Sequence, residues 1–256
     1  MQITLNDVSY SYPGSTQTVL DGVRAVFPVG WTGIIGNNGC GKSTLVRIAT
    51  GMLAPDSGTV SPRGLVVAYC EQDATIPPDR LEDFACSWEQ AAVRLRVDLG
   101  VDDDWPWRYD TLSSGQQRRL QVAVALWEAP DVLVMDEPTN HVDALTRRAI
   151  LRALAGYRGV GLLISHDREL LDALAGQCLC FEGARVVMRP GGYTQAGEQA
   201  ACDTKTAQRQ RRDAKREAAR IQAEAARRRN EASKSAAKRS TRHLDAKDHD
   251  GKGRIK

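Results

Sequence analysis

The run GNNGCGKS, residues 36–43, matches the pattern GxxxxGK[ST]. It constrains the fold more than any other feature, because the pattern has a physical meaning only between a strand and a helix. WTGIIG (31–36) precedes it and reads as a short strand; KSTLVRIATG (42–51) follows and reads as a helix, with Gly51 placed to cap it. The glycines let the backbone curl until its N–H groups point inward at phosphate oxygens, and the helix adds its positive N-terminal end. The candidate phosphate-binding residues are therefore Gly36, Asn37, Asn38, Gly39, Cys40, Gly41, Lys42, Ser43 and Thr44. Lys42 is placed to reach the outer phosphates and Ser43 to ligate Mg²⁺.

Such a loop needs a second carboxylate to organise the metal. DVLVMDE (131–137) is an apolar strand that delivers Asp136 to its C-terminal edge. Glu137 comes next and is the natural group to orient or deprotonate an attacking water. An Asp–Glu pair after a strand also serves as a helix N-cap; the upstream loop favours the metal and base roles.

Strands and helices alternate along the rest of the first part. ITLNDVSYSY and TVLDGVRAVF read as strands, LVVAYCEQ (65–72) as another, and residues 80–98 have helical character. VDDDWPWRYDT (101–111) reads as a Pro- and Asp-broken loop. SGQQRRLQVAVALWEA (114–129) is a helix stopped before Pro130, DALTRRAILRALAG (143–156) a helix, GVGLLISHD (159–167) a strand and RELLDALAG (168–176) a helix. QCLCFEGARVVMR reads as a hairpin about Gly183. This order predicts an α/β fold with a largely parallel sheet.

No apolar run approaches the roughly 18 residues of a membrane helix. The N-terminus shows no signal-peptide pattern. Six cysteines, at 40, 70, 86, 178, 180 and 202, show no metal-ligand spacing and read as reduced thiols of a cytoplasmic protein.

The net charge of +3 conceals a split. Residues 203–256 hold 18 Lys plus Arg against 8 Asp plus Glu, a net +10, so residues 1–202 carry −7. From about Gly197 apolar content falls to Ala and a single Ile221 over a long stretch of strong helix formers. Arg220, Glu224 and Arg228 lie at i, i+4 spacing, a modest support. The segment is expected to be a basic helical arm, loosened at its end by Gly251 and Gly253. A basic arm on an acidic body points to a polyanionic partner.

LSSGQQ (112–117), between the glycine loop and DE, narrows the class: it resembles the signature of ATP-binding cassette (ABC) proteins. Other positions match in order over residues 1 to about 190. Tyr12 resembles the aromatic that stacks on adenine, with Tyr10 as the alternative; Gln72 resembles the glutamine that contacts Mg²⁺ and the attacking water. His166 in SHD resembles the switch histidine that touches the γ-phosphate. The resemblance implies an ATPase using ATP and Mg²⁺. Its catalytic residues would be Glu137, His166 and Gln72, and its metal residues Ser43, Asp136 and Gln72. It implies an ABC domain over 1–196, with an antiparallel β subdomain and a helical subdomain at about 73–128, followed by the arm at 197–256. It also implies two cassettes closing over two ATP molecules, with Ser113, Gly115 and Gln116 facing the γ-phosphate held by the opposite cassette. Ser114 stands where the family more usually has Gly, so its hydroxymethyl is discounted as a contact.

Within the family, EPTNHVD (137–143) is similar to the EPTNHLD run of the ABC-F subfamily of translation factors and ribosome-protection proteins. GGYTQAGEQ (191–199) with the basic helix resembles the start of the ABC-F interdomain linker. The implied partners are a second cassette and the ribosome, its rRNA phosphates met by the arm. Two other readings stay open: the ATP-binding subunit of a membrane transporter, and a module that closes on ATP without useful hydrolysis. ABC-F chains carry two cassettes and this sequence has one P-loop, so it is expected to be the N-terminal part of a longer protein or to dimerise.

Overall fold

The structure, a computed structural model, describes residues 1–247 apart from His141 and Ala184. The expected loosening at Gly251 and Gly253, and the histidine of the EPTNHVD run, lie outside the described residues. The chain divides into two units, Met1–Gln199 and Ala200–Lys256.

The first unit is built on two sheets. Strands β1 (Gln2–Ser11), β2 (Thr18–Pro28) and, after the short helix α1 (Lys42–Ala49), β4 (Ser57–Ser61) form an antiparallel sheet in the order β2-β1-β4. β3 (Gly30–Ile35), β5 (Val67–Cys70), β6 (Val132–Asp136), β7 (Val160–Ile164), β8 (Ala175–Glu182) and β9 (Arg185–Pro190) form a second sheet, ordered β5-β6-β7-β3-β8-β9. Its first five strands run parallel and only β9 returns antiparallel. The fold is the α/β class expected from the alternation.

The apolar runs of β6 and β7 are uninterrupted because both faces of this sheet are covered. Along β6 the side chains alternate: Val132 and Val134 enter one core with Ile3, Phe27 and Leu45, while Leu133 and Met135 enter another with Phe84, Leu120 and Ile150. Period-two alternation thus serves two cores instead of one core and water. All four are fully buried, each contributing about 1.5–3 kcal/mol of hydrophobic stabilisation.

The segment between β5 and β6 is helical. The helical character expected over 80–98 resolves into two helices, α2 (Leu81–Cys86) and α3 (Gln90–Leu99), because Ser87 adopts extended backbone (ψ 124°). The loop expected at 101–111 is instead a 3-10 helix, Trp105–Thr111, with Pro106 in its first turn, where a missing N–H costs nothing. Trp105 and Tyr109 are buried there, so packing overrides the breaker residues. α4 (Ser114–Trp127) follows; α5 (Ala144–Ala155) and α6 (Arg168–Leu174) flank β7.

α7 (Tyr193–Lys247) begins inside the first unit, four residues before the expected start of the arm, tied by Thr194 Oγ1 to Asp172 Oδ2 at 2.6 Å. Every described side chain from Ala201 to Lys234 is exposed. Glu224 pairs with Arg228 at 2.7 Å as its spacing suggests, while Arg220 turns to Glu217 at 3.1 Å.

Candidate active site

Four parallel strands end at one edge of the sheet. β3 runs into the glycine loop, β5 leads to Gln72, β6 ends at Asp136 and β7 leads to His166. The register places Ile34 and Asp136 on either side of Ile164. Asn38 and His166, 128 positions apart in sequence, therefore meet around a cleft of 740 Å³. Of the expected site residues, Tyr12, Asn38, Gly39, Gly41, Lys42, Ser43, Thr44, Gln72, Asp136, Glu137 and His166 line it.

The loop is a tight curl. Gly41 sits at φ +103°, where a Cβ would also come within 2.8 Å of Val19 Cγ1. At Gly36 a Cβ would stand 2.7 Å from Cys40 Sγ and 2.8 Å from Phe181 Cβ. Gly36, Asn37 and Cys40 build the curl itself: Cys40 N–H donates to the Asn37 carbonyl (3.3 Å), and Lys42 Nζ donates to the carbonyls of Gly36 (2.8 Å) and Asn37 (3.0 Å). The lysine is thus held over the loop at the start of α1.

Opposite the loop, Ser43 Oγ faces Asp136 Oδ2 at 3.5 Å, and Tyr69 donates to the same oxygen at 3.1 Å. Burial pushes the Asp136 carboxyl above its usual range, against the pull of Tyr69 and Lys42. Glu137 stands at φ +48°, unusual for a residue with a side chain. Its Oε2 accepts from Ser165 Oγ (3.4 Å) and His166 N–H (3.3 Å), and its Oε1 lies 3.6 Å from His166 Nε2. Burial raises its carboxyl too, partly offset by the His166 N–H. His166 Nε2 also lies 3.2 Å from Asn38 Oδ1, which links the β7 edge to the loop.

Tyr12 and Tyr10 share a face, as strand alternation suggests, with their rings edge to face 5.1 Å apart. Tyr10 is buried in the core, whereas Tyr12 lies beyond the end of β1, exposed at the cleft, with its hydroxyl 2.8 Å from Thr44 Oγ1.

Ser113, Gly115 and Gln116 stand away from this cleft, at the start of α4. Ser113 caps that helix: its Oγ accepts from Gln116 N–H (3.4 Å), and Gln116 Oε1 accepts from Ser113 N–H (2.9 Å), a capping box. Ser114 lines a separate pocket of 350 Å³ with Gln72, Asp73, Arg118 and Asn140.

Sequence reasoning passed over three participants. Asn140 lines the cleft and Tyr69 holds Asp136. Arg118 is buried against the segment that carries Gln72. Its signal was available: Arg118, Gln121, Val122 and Ala125 recur at i, i+3, i+4, i+7, so a cation sits on the apolar stripe of a helix.

A curled glycine loop after the central strand, facing an Asp–Glu pair at the end of its neighbour's neighbour, defines a P-loop NTPase fold. The family model described as ABC transporter matches residues 25–140. The chain is 34% identical to the ATP-binding protein Uup of Escherichia coli, over 75% of this chain and 32% of that one. It is 33% identical to the ribosome protection protein VmlR of Bacillus subtilis, over 75% of this chain and 33% of that one. A putative ABC transporter ATP-binding protein of Nitratidesulfovibrio vulgaris is 33% identical over 70% of this chain and 74% of its own length. Among solved structures, the ATP-binding cassette MJ0796, a dimer in a post-hydrolysis state with ADP and Pi, superposes with a TM-score of 0.61 at 18% identity, over 73% of this chain and 98% of that one. The chain belongs to the ATP-binding cassette family. It spans about a third of the length of Uup and VmlR.

Proposed function

We propose that the chain binds ATP with Mg²⁺ and hydrolyses it as one half of a pair of cassettes, serving an ABC-F type role on the ribosome. The observation that carries the enzymatic part is Glu137, whose carboxylate is held by Ser165 and His166 at the edge of the cleft beside Asp136 and Lys42. The donor set fits the metal: Ser43 Oγ and Asp136 Oδ2, 3.5 Å apart, are hard oxygen ligands of the kind Mg²⁺ takes alongside phosphate and water. The metal, when bound, neutralises charge on the phosphoryl oxygens.

The chain's own residues do the rest. Loop N–H groups and Lys42 hold the phosphates, and the exposed ring of Tyr12 stacks on the base. Glu137 accepts the proton of the attacking water; Gln72 and His166 fix that water and the terminal phosphate. Ser113, Gly115 and Gln116 offer their helix N-terminus to nucleotide on a second cassette.

The pH dependence follows from burial. Glu137 acts as carboxylate, and its carboxyl titrates above the ordinary glutamate range. Turnover therefore rises with pH as Glu137 ionises, with an acid limb above the roughly 4.3 of a free glutamate. A pH–rate profile checks this. A limb at or below that value opposes the assignment.

For the ribosomal role, support comes from the EPTNHVD and GGYTQAGEQ runs, from an exposed helix α7 rich in Lys and Arg, and from the likeness to VmlR. The arm's cations suit rRNA phosphates; without aromatics, recognition would be by shape and charge. The second reading, a transporter subunit, is favoured by the name of the Nitratidesulfovibrio relative. Among the described residues no helix is long and apolar enough to cross a membrane.

Co-sedimentation with ribosomes separates the two. Glu137→Gln protein with ATP is expected to pellet at low salt, to release as salt rises, and to lose binding when residues 203–256 are removed. Absence of ATP-dependent pelleting, with a second cassette supplied, would favour the transporter reading.

A further inference from the structure

Three buried arginines, Arg96, Arg118 and Arg189, are unused by the chemistry above, and Arg118 is the one gripping a segment that lines the cleft. Arg118, on the second turn of α4, is 3% exposed. Its guanidinium donates to the backbone carbonyl of Glu71 (2.7 Å), to Gln121 Oε1 (2.6 Å) and to the carbonyl of Gln72. All three acceptors are neutral. A charge withdrawn from water onto neutral acceptors is costly compared with an apolar side chain of the same reach. Packing alone would be served as well by Met.

The geometry of the grip is specific. The planar fork takes two successive carbonyls, which fixes both the position and the direction of the 71–72 peptide; a lysine would offer one point and no plane. That peptide follows β5 directly and carries Gln72, which lines both the 740 Å³ cleft and the 350 Å³ pocket. The other end of the lever is equally fixed. Arg118 lies five positions after Ser113, about 7.5 Å along α4. The capping box locks the first turn, and Gln117 Nε2 donates to the Tyr109 carbonyl at 3.2 Å.

We propose that Arg118 is a positioning residue that makes Gln72 move with the signature end of α4. The Gln72 side chain then reaches its working place in the cleft only when Ser113–Gln116 are themselves in place. This rests on the ATPase reading, in which both segments meet the same nucleotide pair.

The test is a double-mutant cycle in the full chain, with Arg118→Met, Arg118→Lys, Gln72→Ala and the Arg118→Met/Gln72→Ala pair. Each single replacement by Met or Ala is expected to lower kcat on the order of tenfold to a hundredfold, with KM for ATP within about twofold. The pair loses no more than the worse single, because the two residues act as one unit. Arg118→Lys recovers little. The melting temperature of Arg118→Met stays level or rises, since a buried charge has gone. Losses that multiply, or wild-type kcat in Arg118→Met, overturn the proposal. If the wild-type chain turns over no ATP even with a second cassette supplied, the ATPase reading fails on its own. Hydrogen exchange then decides the clamp: the amides of residues 71–74 should exchange faster in Arg118→Met while α4 is unchanged, and unchanged exchange at 71–74 overturns it.

Discussion

Glu137→Gln lowers ATP turnover by roughly two to three orders of magnitude and leaves nucleotide affinity intact. The substitution keeps size and shape. The amide oxygen still accepts from Ser165 Oγ and His166 N–H, at present 3.4 and 3.3 Å from the carboxylate. What disappears is the ability to take a proton. Because the carboxylate is half-buried, its removal relieves a desolvation cost, so folding should not suffer. Single-turnover hydrolysis and nucleotide retention measure the two halves separately. In the paired-cassette reading the variant retains ATP and accumulates as a dimer in light scattering. Turnover equal to wild type would move the base to another residue.

Lys42→Ala weakens ATP binding by on the order of a hundredfold or more. A hydrogen bond to a charged partner contributes about 1.5–3 kcal/mol, and Lys42 is placed to make more than one to phosphate. There is a second loss. Lys42 Nζ bridges the carbonyls of Gly36 and Asn37, so its removal also loosens the curl that aims the loop N–H groups. Titration calorimetry gives the affinity, and circular dichroism checks the fold. Lys42→Arg separates the effects: it keeps the charge but does not fit the same bridge, and should bind only partly better than Ala. Full affinity in Lys42→Ala would remove the loop from the nucleotide site.

Much of this site is readable in the chain, for a reason particular to parallel sheets. Strand ends and the loops after them fall on one edge, so the glycine loop, Asp136, Glu137 and His166 could be grouped without knowing any distance. Boundaries governed by packing were less readable. The 3-10 helix Trp105–Thr111 exists because Trp105 and Tyr109 are buried, and nothing in VDDDWPWRYD announces that burial. The break at Ser87 between α2 and α3 is equally silent, and β4 (SGTVS) has too little apolar pattern to be seen before its partner β1 is known. Tyr10 and Tyr12 share a face as alternation foresees, and only the exposed one, Tyr12, lines the cleft. Arg118 was legible in principle, as a cation on an apolar stripe, but its partners are backbone carbonyls, which no residue letter encodes.

Glu137 combines a left-handed backbone with a half-buried carboxylate whose proton affinity is raised. Each is unfavourable for the folded chain, by of order 1–3 kcal/mol for the backbone alone. Glycine would relieve both at once. The position therefore marks where durability and chemistry pull in opposite directions. Glu137→Gly is therefore expected to raise the melting temperature while, on the proposed assignment, abolishing turnover.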